Sequence, residues 1–266
     1  MAADAFPRHG DRLQCSKSMN LPERLRTGAP IIATFSMISS PIIVELLAQA
    51  GFEAVLFDME HGPLGIEDLN ILIPVSRAAG IYPIVRVRTS DASLIGAALD
   101  VGAAGILVPQ VDSAPSAAAV VSAARFAPLG LRGVNPYTRA AGYNASREWY
   151  ARANAEVAVL VMVEGNAGVL ALPEILDTPG IDGIFIGPYD LSQALGVAGQ
   201  LDHPTVLSTV EQIVTAASKR NLATAVFAPT PPLALRWIEL GVRLVAAGFD
   251  TAMVLDGFRA VRRAVT

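Results

Sequence analysis

Two carboxylates stand one strand–helix unit apart, where they could share a metal ion. Glu164 ends an apolar run, and Asp190 follows the next such run. Neighbouring strands lie about 4.8 Å apart, so carboxylates at their ends can reach one cation at about 2.1 Å. Such a pair suits Mg²⁺, with Mn²⁺ or Co²⁺ as alternatives, better than zinc. The alternative interpretation pairs Glu164 with an arginine and makes Asp190 a helix cap.

A histidine follows another predicted strand. His61 comes directly after Phe57-Asp58-Met59-Glu60 and precedes Gly62. Imidazole is suited to proton transfer near neutral pH, which makes His61 a candidate acid or base. A loop histidine that only bonds to the backbone is the alternative.

An arginine interrupts a third apolar run, Ile84-Val85-Arg86-Val87. A permanently charged guanidinium is costly inside a barrel strand unless it meets an anion. A 2-oxo acid, or the enolate oxygen formed from it, could be that anion.

The lysines narrow the possible mechanisms. Lys17 and Lys219 are the only two in the sequence, and neither ends a predicted strand. Schiff-base chemistry requires a lysine nucleophile. If the protein is an aldolase, a metal ion must therefore polarise the carbonyl group.

Eight short apolar runs alternate with helix-like segments, which predicts a single-domain (β/α)₈ barrel. The predicted strands are Ile31–Ser36, Ala54–Met59, Tyr82–Val87, Gly105–Pro109, Val157–Glu164, Gly183–Gly187, Ala223–Ala228 and Leu244–Asp250. The predicted helices are about 41–50, 66–79, 92–101, 113–125, 167–177, 204–220, 231–240 and 252–264. An open doubly wound sheet is the alternative on pattern alone.

The longest interval separates the fourth and fifth predicted strands. It carries a polar segment rich in Gly and Pro, residues 131–146. We expect this insertion among the loops at the carboxyl end of the barrel, where active sites of this fold are built. The residues that contact an aldehyde are then expected in 62–66, 131–146 and 228–232.

Composition excludes several function classes. The chain is 52% hydrophobic, enough for a large core, but no apolar run approaches the roughly 20 residues of a membrane span. A net charge of −4 without a basic stripe argues against a nucleic-acid partner. Residues 1–24 are expected to be a flexible leader before a barrel at 25–266, and the lack of a signal-like segment favours the cytoplasm.

Several stretches resemble the HpcH/HpaI family of metal-dependent, pyruvate-dependent class II aldolases. They run in family order along the chain: Phe57–Pro63, Pro83–Arg86, Leu107–Gln110, Arg132–Val134, Val163–Glu164 and Asp182–Ser192. The last of these is long and specific. The resemblance implies the barrel fold and (retro-)aldol chemistry on a 4-hydroxy-2-oxo acid, with pyruvate and an aldehyde as products.

The same resemblance implies roles for individual residues. Glu164 and Asp190 resemble the metal-binding carboxylates of the family, Arg86 the arginine that steadies the carbonyl oxygen, and His61 the acid/base histidine. Backbone amides around Gly187, Pro188 and Tyr189 would receive the pyruvate carboxylate at a helix start.

The resemblance has two further implications, one for the assembly of subunits and one for a residue that departs from the family pattern. Asp100 matches an aspartate that the family pairs with its histidine, but we expect Asp100 at the opposite end of its own barrel. It could serve only the His61 of a neighbouring subunit, as in a hexameric trimer of dimers, with the C-terminal helix packed between subunits. Met162 stands where the family often has glutamine, so substrate positioning near the metal is expected to differ.

Two rival functions remain open at this point. One is cleavage of acyl-CoA esters of the malyl- or citryl-CoA type, which would want a basic groove for the phosphates. The other is a non-catalytic protein that binds a 2-oxo acid together with the metal.

Overall fold

Eight parallel strands form a closed barrel in the computed structural model, which describes residues 19–266. The strands are β1 (Ile31–Ser36), β2 (Ala54–Asp58), β3 (Tyr82–Arg86), β4 (Gly105–Val108), β5 (Ala158–Val163), β6 (Gly183–Ile186), β7 (Ala223–Ala228) and β8 (Leu244–Phe249). Each strand pairs with the next, and β8 pairs with β1. The predicted (β/α)₈ barrel is confirmed.

Helices surround the barrel and precede it. They are α1 (Leu21–Arg26), α2 (Pro41–Gln49), α3 (Ile66–Ala78), α4 (Ala92–Asp100), α5 (Ala114–Ala124), α6 (Arg147–Glu156), α7 (Asn166–Leu170), α8 (Leu172–Leu176), α9 (Pro188–Ala194), α10 (Pro204–Ser218), α11 (Pro231–Glu239) and α12 (Asp250–Ala264). No helix among residues 19–266 is long and apolar enough to cross a membrane.

Side chains alternate along each strand between two apolar layers. Ala54 and Leu56 of β2 point into the barrel, whereas Val55 and Phe57 pack against the surrounding helices. Both layers are buried, which explains why the strands are nearly continuous apolar runs in the sequence.

The first helix closes the amino end of the barrel. The side chain of Asn20 accepts a hydrogen bond from the amide of Glu23 at 2.9 Å and caps α1. Leu21 and Leu25 are almost fully buried and join the interior cluster. This corrects one prediction, because residues 21–24 form part of a packed helix instead of a flexible leader. Residues 1–18, including Lys17, lie outside the described residues.

The insertion at 131–146 lies at the opposite end from the one expected. It follows α5, which runs back from the carboxyl end of the barrel to the amino end. In the last turn of α4, the backbone carbonyl of Asp100 accepts a hydrogen bond from the amide of Ala140 at 3.0 Å, and the Asp100 carboxylate forms an ion pair with Arg132 at 2.6 Å. The insertion therefore belongs to the amino end, and α6, which was not predicted, leads from it into β5.

Candidate active site

The alternation along the strands carries polar side chains to the carboxyl end of the interior. Asp58 continues the inward positions of β2 after Leu56, and Arg86 continues those of β3 after Ile84. The strand register places Asp58 directly opposite Arg86. Glu164 follows β5 by the same alternation. These side chains therefore converge on one end of the barrel.

Arg86 forms a two-point ion pair with Asp58. Its Nε lies 2.8 Å from Asp58 Oδ1 and its Nη2 lies 2.6 Å from Oδ2. Asp58 is fully buried, and Arg86 is nearly so. The sequence-based hypothesis named a substrate as the anion that meets the buried guanidinium; contact with a substrate stays a prediction, and the structure shows that a protein anion, Asp58, is already present. A protein carboxylate performs this role, with the fixed geometry that guanidinium and carboxylate favour.

Glu60 connects Arg86 with His61. Its Oε2 lies 3.3 Å from Arg86 Nη1 and 3.9 Å from His61 Nε2. Burial raises the pKa of Glu60, and the charge of Arg86 works in the opposite direction. Sequence reasoning assigned no role to Glu60 or Asp58, although both lie in the stretch that carries the family resemblance.

Hydrogen bonds from Arg88 hold the loop that carries His61 in place. Arg88 donates from Nε to the carbonyl of Met59 at 2.7 Å and from Nη2 to that of Leu64 at 3.1 Å. A Cβ atom at Gly62 would lie 2.3 Å from the Asp58 carbonyl oxygen, so this turn requires glycine. The His61 side chain is 64% exposed. It can therefore meet a substrate at the mouth of the barrel.

Glu164 lies among other negative charges. It accepts a hydrogen bond from the Gln110 amide at 2.8 Å, and its Oε2 lies against Gly187, where a Cβ would approach to 2.8 Å. The pKa of Glu164 is raised to about 7, mainly because burial desolvates the carboxylate; the charges of Glu60 and Asp190 also act to raise it, whereas the Gln110 hydrogen bond and the charge of Arg86 act to lower it. The carboxylate form is thus disfavoured until a cation neutralises it.

Asp190 lies in the first turn of α9 and is exposed. The N-cap position belongs to Gly187 and carries no side-chain cap, so Asp190 is not the helix cap of the alternative interpretation. Gly187 donates its amide to Val163 at 3.3 Å, and proline at 188 has no amide hydrogen. The amides of Tyr189 and Asp190 are therefore the ones left to receive a carboxylate.

The donor set fits a divalent cation. Within residues 19–266, no group of three or more His, Cys, Asp or Glu side chains could hold a metal by itself, and no ion pair involves Glu164 or Asp190. The site would thus offer a pair of hard oxygen donors with spare coordination positions. Mg²⁺ accepts one or two carboxylates and completes its shell with water and substrate oxygens.

A sequence profile of the HpcH/HpaI aldolase/citrate lyase family matches residues 32–257. The chain belongs to this family. It is 37% identical over 250 residues to a hydroxypyruvate/pyruvate aldolase of Pseudomonas aeruginosa, covering 91% of this chain and 92% of that protein. It is 37% identical over 231 residues to a 4-hydroxy-2-oxo-heptane-1,7-dioate aldolase of Escherichia coli, covering 86% and 88%.

Solved structures agree with this assignment. A crystal structure of an HpcH/HpaI aldolase/citrate lyase family protein from Burkholderia cenocepacia has a TM-score of 0.87 and 34% identity, covering 92% of this chain and 98% of that one. The predicted family and the predicted enzyme class, a pyruvate-dependent aldolase, are confirmed. Family membership also supports a divalent metal ion and small-molecule substrates.

Asp100 does not join the HpcH/HpaI aldolase site within one chain. It lies at the amino end of the barrel, paired with Arg132, whereas His61 lies at the carboxyl end. Its position agrees with the expectation from the sequence. A role in proton transfer would require a second subunit and stays a prediction.

Beneath the polar residues lies an apolar floor. Met162 is buried in the interior cluster beside Phe35 and Phe185, and the guanidinium carbon of Arg86 lies 4.5 Å from the Phe35 ring centre. The residue that departs from the usual glutamine thus packs below the site, next to Gly187.

Proposed function

We propose that this enzyme cleaves the C3–C4 bond of a 4-hydroxy-2-oxo acid to pyruvate and an aldehyde, with Mg²⁺ held by Glu164 and Asp190. The observation that carries the proposal is the geometry of the carboxyl end. Within residues 19–266, Glu164 and Asp190 form no ion pair, and they lie close enough for the charge of Asp190 to act on Glu164. Both follow strands at the same end of the barrel as the buried Arg86 and the exposed His61.

The bound ion would polarise the 2-oxo group and neutralise the two carboxylates. Arg86, held in place by Asp58, would stabilise negative charge that develops on the 2-oxo oxygen. The amides of Tyr189 and Asp190 would bind the substrate carboxylate. Binding at these points orients the C3–C4 bond toward His61.

His61 would take the proton of the 4-hydroxyl group. The hydroxyl oxygen would then form the aldehyde carbonyl, and the electron pair of the C3–C4 bond would pass to the pyruvate fragment. C3 of this fragment would take one proton from solvent, and His61 would release to solvent the proton that it took from the hydroxyl group. Glu60 lies close to both His61 and Arg86 and would hold these two side chains in position relative to each other during this transfer.

The proposal extends to a homo-oligomer. Helix α12 contacts β1 and β8 near its start, whereas Phe258 and Val261 on its later turns are exposed. Exposed apolar side chains also lie on α2 and α11, at Ile42, Leu46 and Leu235. A neighbouring subunit, in a hexamer built as a trimer of dimers, would cover these surfaces and bring its Asp100 toward His61. Light scattering on the purified protein would measure the oligomeric state.

Pyruvate release from a panel of 4-hydroxy-2-oxo acids tests the reaction. We expect turnover with Mg²⁺, loss of turnover in excess chelator and recovery when Mg²⁺ is restored. Glu164→Ala should lose more than about 100-fold in kcat/KM, since it removes a metal ligand. Glu211→Ala, on the exposed surface of α10, is the matched control and should keep full activity. Full activity of Glu164→Ala, or cleavage of CoA esters alone, would contradict the proposal.

A further inference from the structure

The mouth of the barrel has a polar half and an aromatic half. Asp58 and Arg86 end β2 and β3, whereas Glu60 and Glu164 follow β2 and β5. The inward residue near the end of β7 is Phe227, and Phe249 ends β8. Tyr189, on α9 after β6, borders the same sector. The side of the mouth between Asp190 and His61 is thus bordered by aromatic rings.

These rings form one continuous surface. The ring centres of Tyr189 and Phe227 lie 5.9 Å apart, those of Phe227 and Phe249 5.3 Å, and those of Phe249 and Phe35 5.0 Å with an angle of 17° between the planes. Phe35 and Phe227 are buried, whereas Phe249 is partly and Tyr189 half exposed, so Phe249 and Tyr189 form the accessible part of the surface and Phe227 supports it. Offset and edge-on contacts at such distances are favourable for aromatic groups. A further ring could add to the exposed edge.

The sequence builds this surface by a local irregularity in β8. Ala33 of β1 pairs with Ala246, but Phe35 pairs with Phe249, so the register shifts between them. Gly248 lies within this shift at φ +71°, a conformation that suits glycine. The bulge places Phe249 over Phe35.

The position of the 2-oxo acid part of the substrate determines which substrate group contacts the aromatic half. If Arg86, Glu164 and Asp190 hold the 2-oxo acid, its first carbons occupy the polar half. With the C1 carboxylate at the amides of Tyr189 and Asp190 and C4 near His61, the group beyond C4, which becomes the substituent of the aldehyde, would lie in the sector between these two points. Phe249 and the ring of Tyr189 border that sector. A carboxylate placed there would lose water against apolar rings, whereas an apolar group would gain from the same burial.

We propose that this aldolase prefers an aldehyde with an aromatic or bulky apolar substituent, which packs on the face formed by Tyr189, Phe227 and Phe249. This inference rests on the proposed function. It differs from the reaction named for the Escherichia coli relative, whose dioate substrate carries a second carboxylate beyond C4.

Arg236 provides the contrary possibility. Outside Tyr189 lies a cavity of about 390 Å³ bordered by Tyr189, Leu201, Leu233 and Arg236. A substrate long enough to pass Tyr189 could place a carboxylate at this arginine. Two possibilities can therefore be distinguished by experiment: an apolar group that packs on the aromatic rings, or a distal carboxylate that binds Arg236.

The decisive comparison uses two substrates, 4-hydroxy-2-oxo-4-phenylbutanoate and 4-hydroxy-2-oxo-heptane-1,7-dioate. With the Mg²⁺-loaded enzyme, we expect kcat/KM for the phenyl substrate to exceed that for the dioate by about 10-fold, the scale of one or two aromatic contacts. Tyr189→Ala and Phe249→Leu should reduce this ratio. Tyr137→Ala, in the insertion at the amino end, is the control and should leave it unchanged.

Binding of analogues without the 4-hydroxyl group separates this inference from the proposed function. Calorimetry with 4-phenyl-2-oxobutanoate and 2-oxoheptane-1,7-dioate needs no turnover, and we expect the phenyl analogue to bind more tightly. If no substrate releases pyruvate but the phenyl analogue still binds more tightly, the proposed reaction is contradicted and the inferred preference for an apolar group is supported. Equal or tighter binding of the dioate, weakened by Arg236→Met, would overturn the inference.

Discussion

Arg86 and Asp58 are opposite one another on β3 and β2 and form a buried two-point ion pair. Nε–Oδ1 and Nη2–Oδ2 distances of 2.8 and 2.6 Å hold the guanidinium in one orientation. The third nitrogen, Nη1, is directed to Glu60 at 3.3 Å. The pair therefore fixes where the positive charge of the site stands.

Replacing Asp58 with asparagine should destabilise the protein and slow the reaction. The change leaves a buried guanidinium without its counter-charge, and breaking such a pair costs about 3 kcal/mol. Urea unfolding measures this loss, and we expect kcat to fall more than about 10-fold. Asp177→Asn breaks the exposed pair between Asp177 and Arg220 and should change the free energy of unfolding much less, because solvent screens such a pair. Equal losses in the two variants would contradict the assigned role.

The raised pKa of Glu164 should appear in the stability of the metal-free protein. Its pKa is about 7 in the folded state, against 4.5 ordinarily. Between these values the folded protein holds a proton that the unfolded chain has released. The free energy of unfolding therefore falls through this group as pH rises from 4.5 to 7, and levels above 7.

Urea unfolding in chelator at several pH values tests this statement. Glu164→Gln, which cannot ionise, should lack the decline and be more stable than the wild type near pH 7.5. A wild type and variant with parallel pH profiles would show that Glu164 ionises normally in the fold.

Gly187→Ala should displace Glu164. The added Cβ would lie 2.8 Å from Glu164 Oε2 and 2.9 Å from its Cβ, although the backbone itself permits alanine. We expect Mg²⁺ affinity, measured by calorimetry, to fall about 10-fold or more. Gly165→Ala, next to Glu164 in the chain, meets nothing within 4 Å and is the control. Unchanged affinity in Gly187→Ala would exclude this contact as a determinant.

Asp250→Asn should loosen the loop after β1. The buried Asp250 carboxylate accepts hydrogen bonds from the Ser36 hydroxyl at 2.7 Å and from the amides of Met37, Ile38 and Thr251 at 2.7–3.1 Å. An amide nitrogen at this place would face donors. We expect a loss of about 2 kcal/mol in urea unfolding.

Activity should fall with it, because the Met37 side chain packs beside Gly62 in the His61 loop. Asp256→Asn, on the exposed face of α12, is the control for both measurements. The role of Asp250 would be refuted by a variant as stable and active as this control.

The strands and the two carboxylates were predictable from the sequence. Strands buried on both faces, such as β5 and β7, read as unbroken apolar runs, and their order along the chain already places Glu164 and Asp190 on adjacent strands. Nothing further was needed to expect the two acids at one end of the barrel.

Pairing across strands and the placement of loops could not be predicted in the same way. The counter-ion of Arg86 depends on the register of β2 against β3, which hydrophobic pattern does not specify. The insertion was assigned to the wrong end because the strand before it was considered without α5, which reverses the chain direction. The short α1 and the polar α6 lack an extended apolar period, so neither was visible in the pattern.

Because α1 closes the amino end of the barrel, the interior is open to small molecules at the carboxyl end. Among residues 19–266, Leu21 and Leu25 fill the amino end of the interior, so we expect substrate to enter and both products to leave at the carboxyl end. Residues around this opening, such as Tyr189 and His61, would then affect substrate binding and product release as well as the reaction itself.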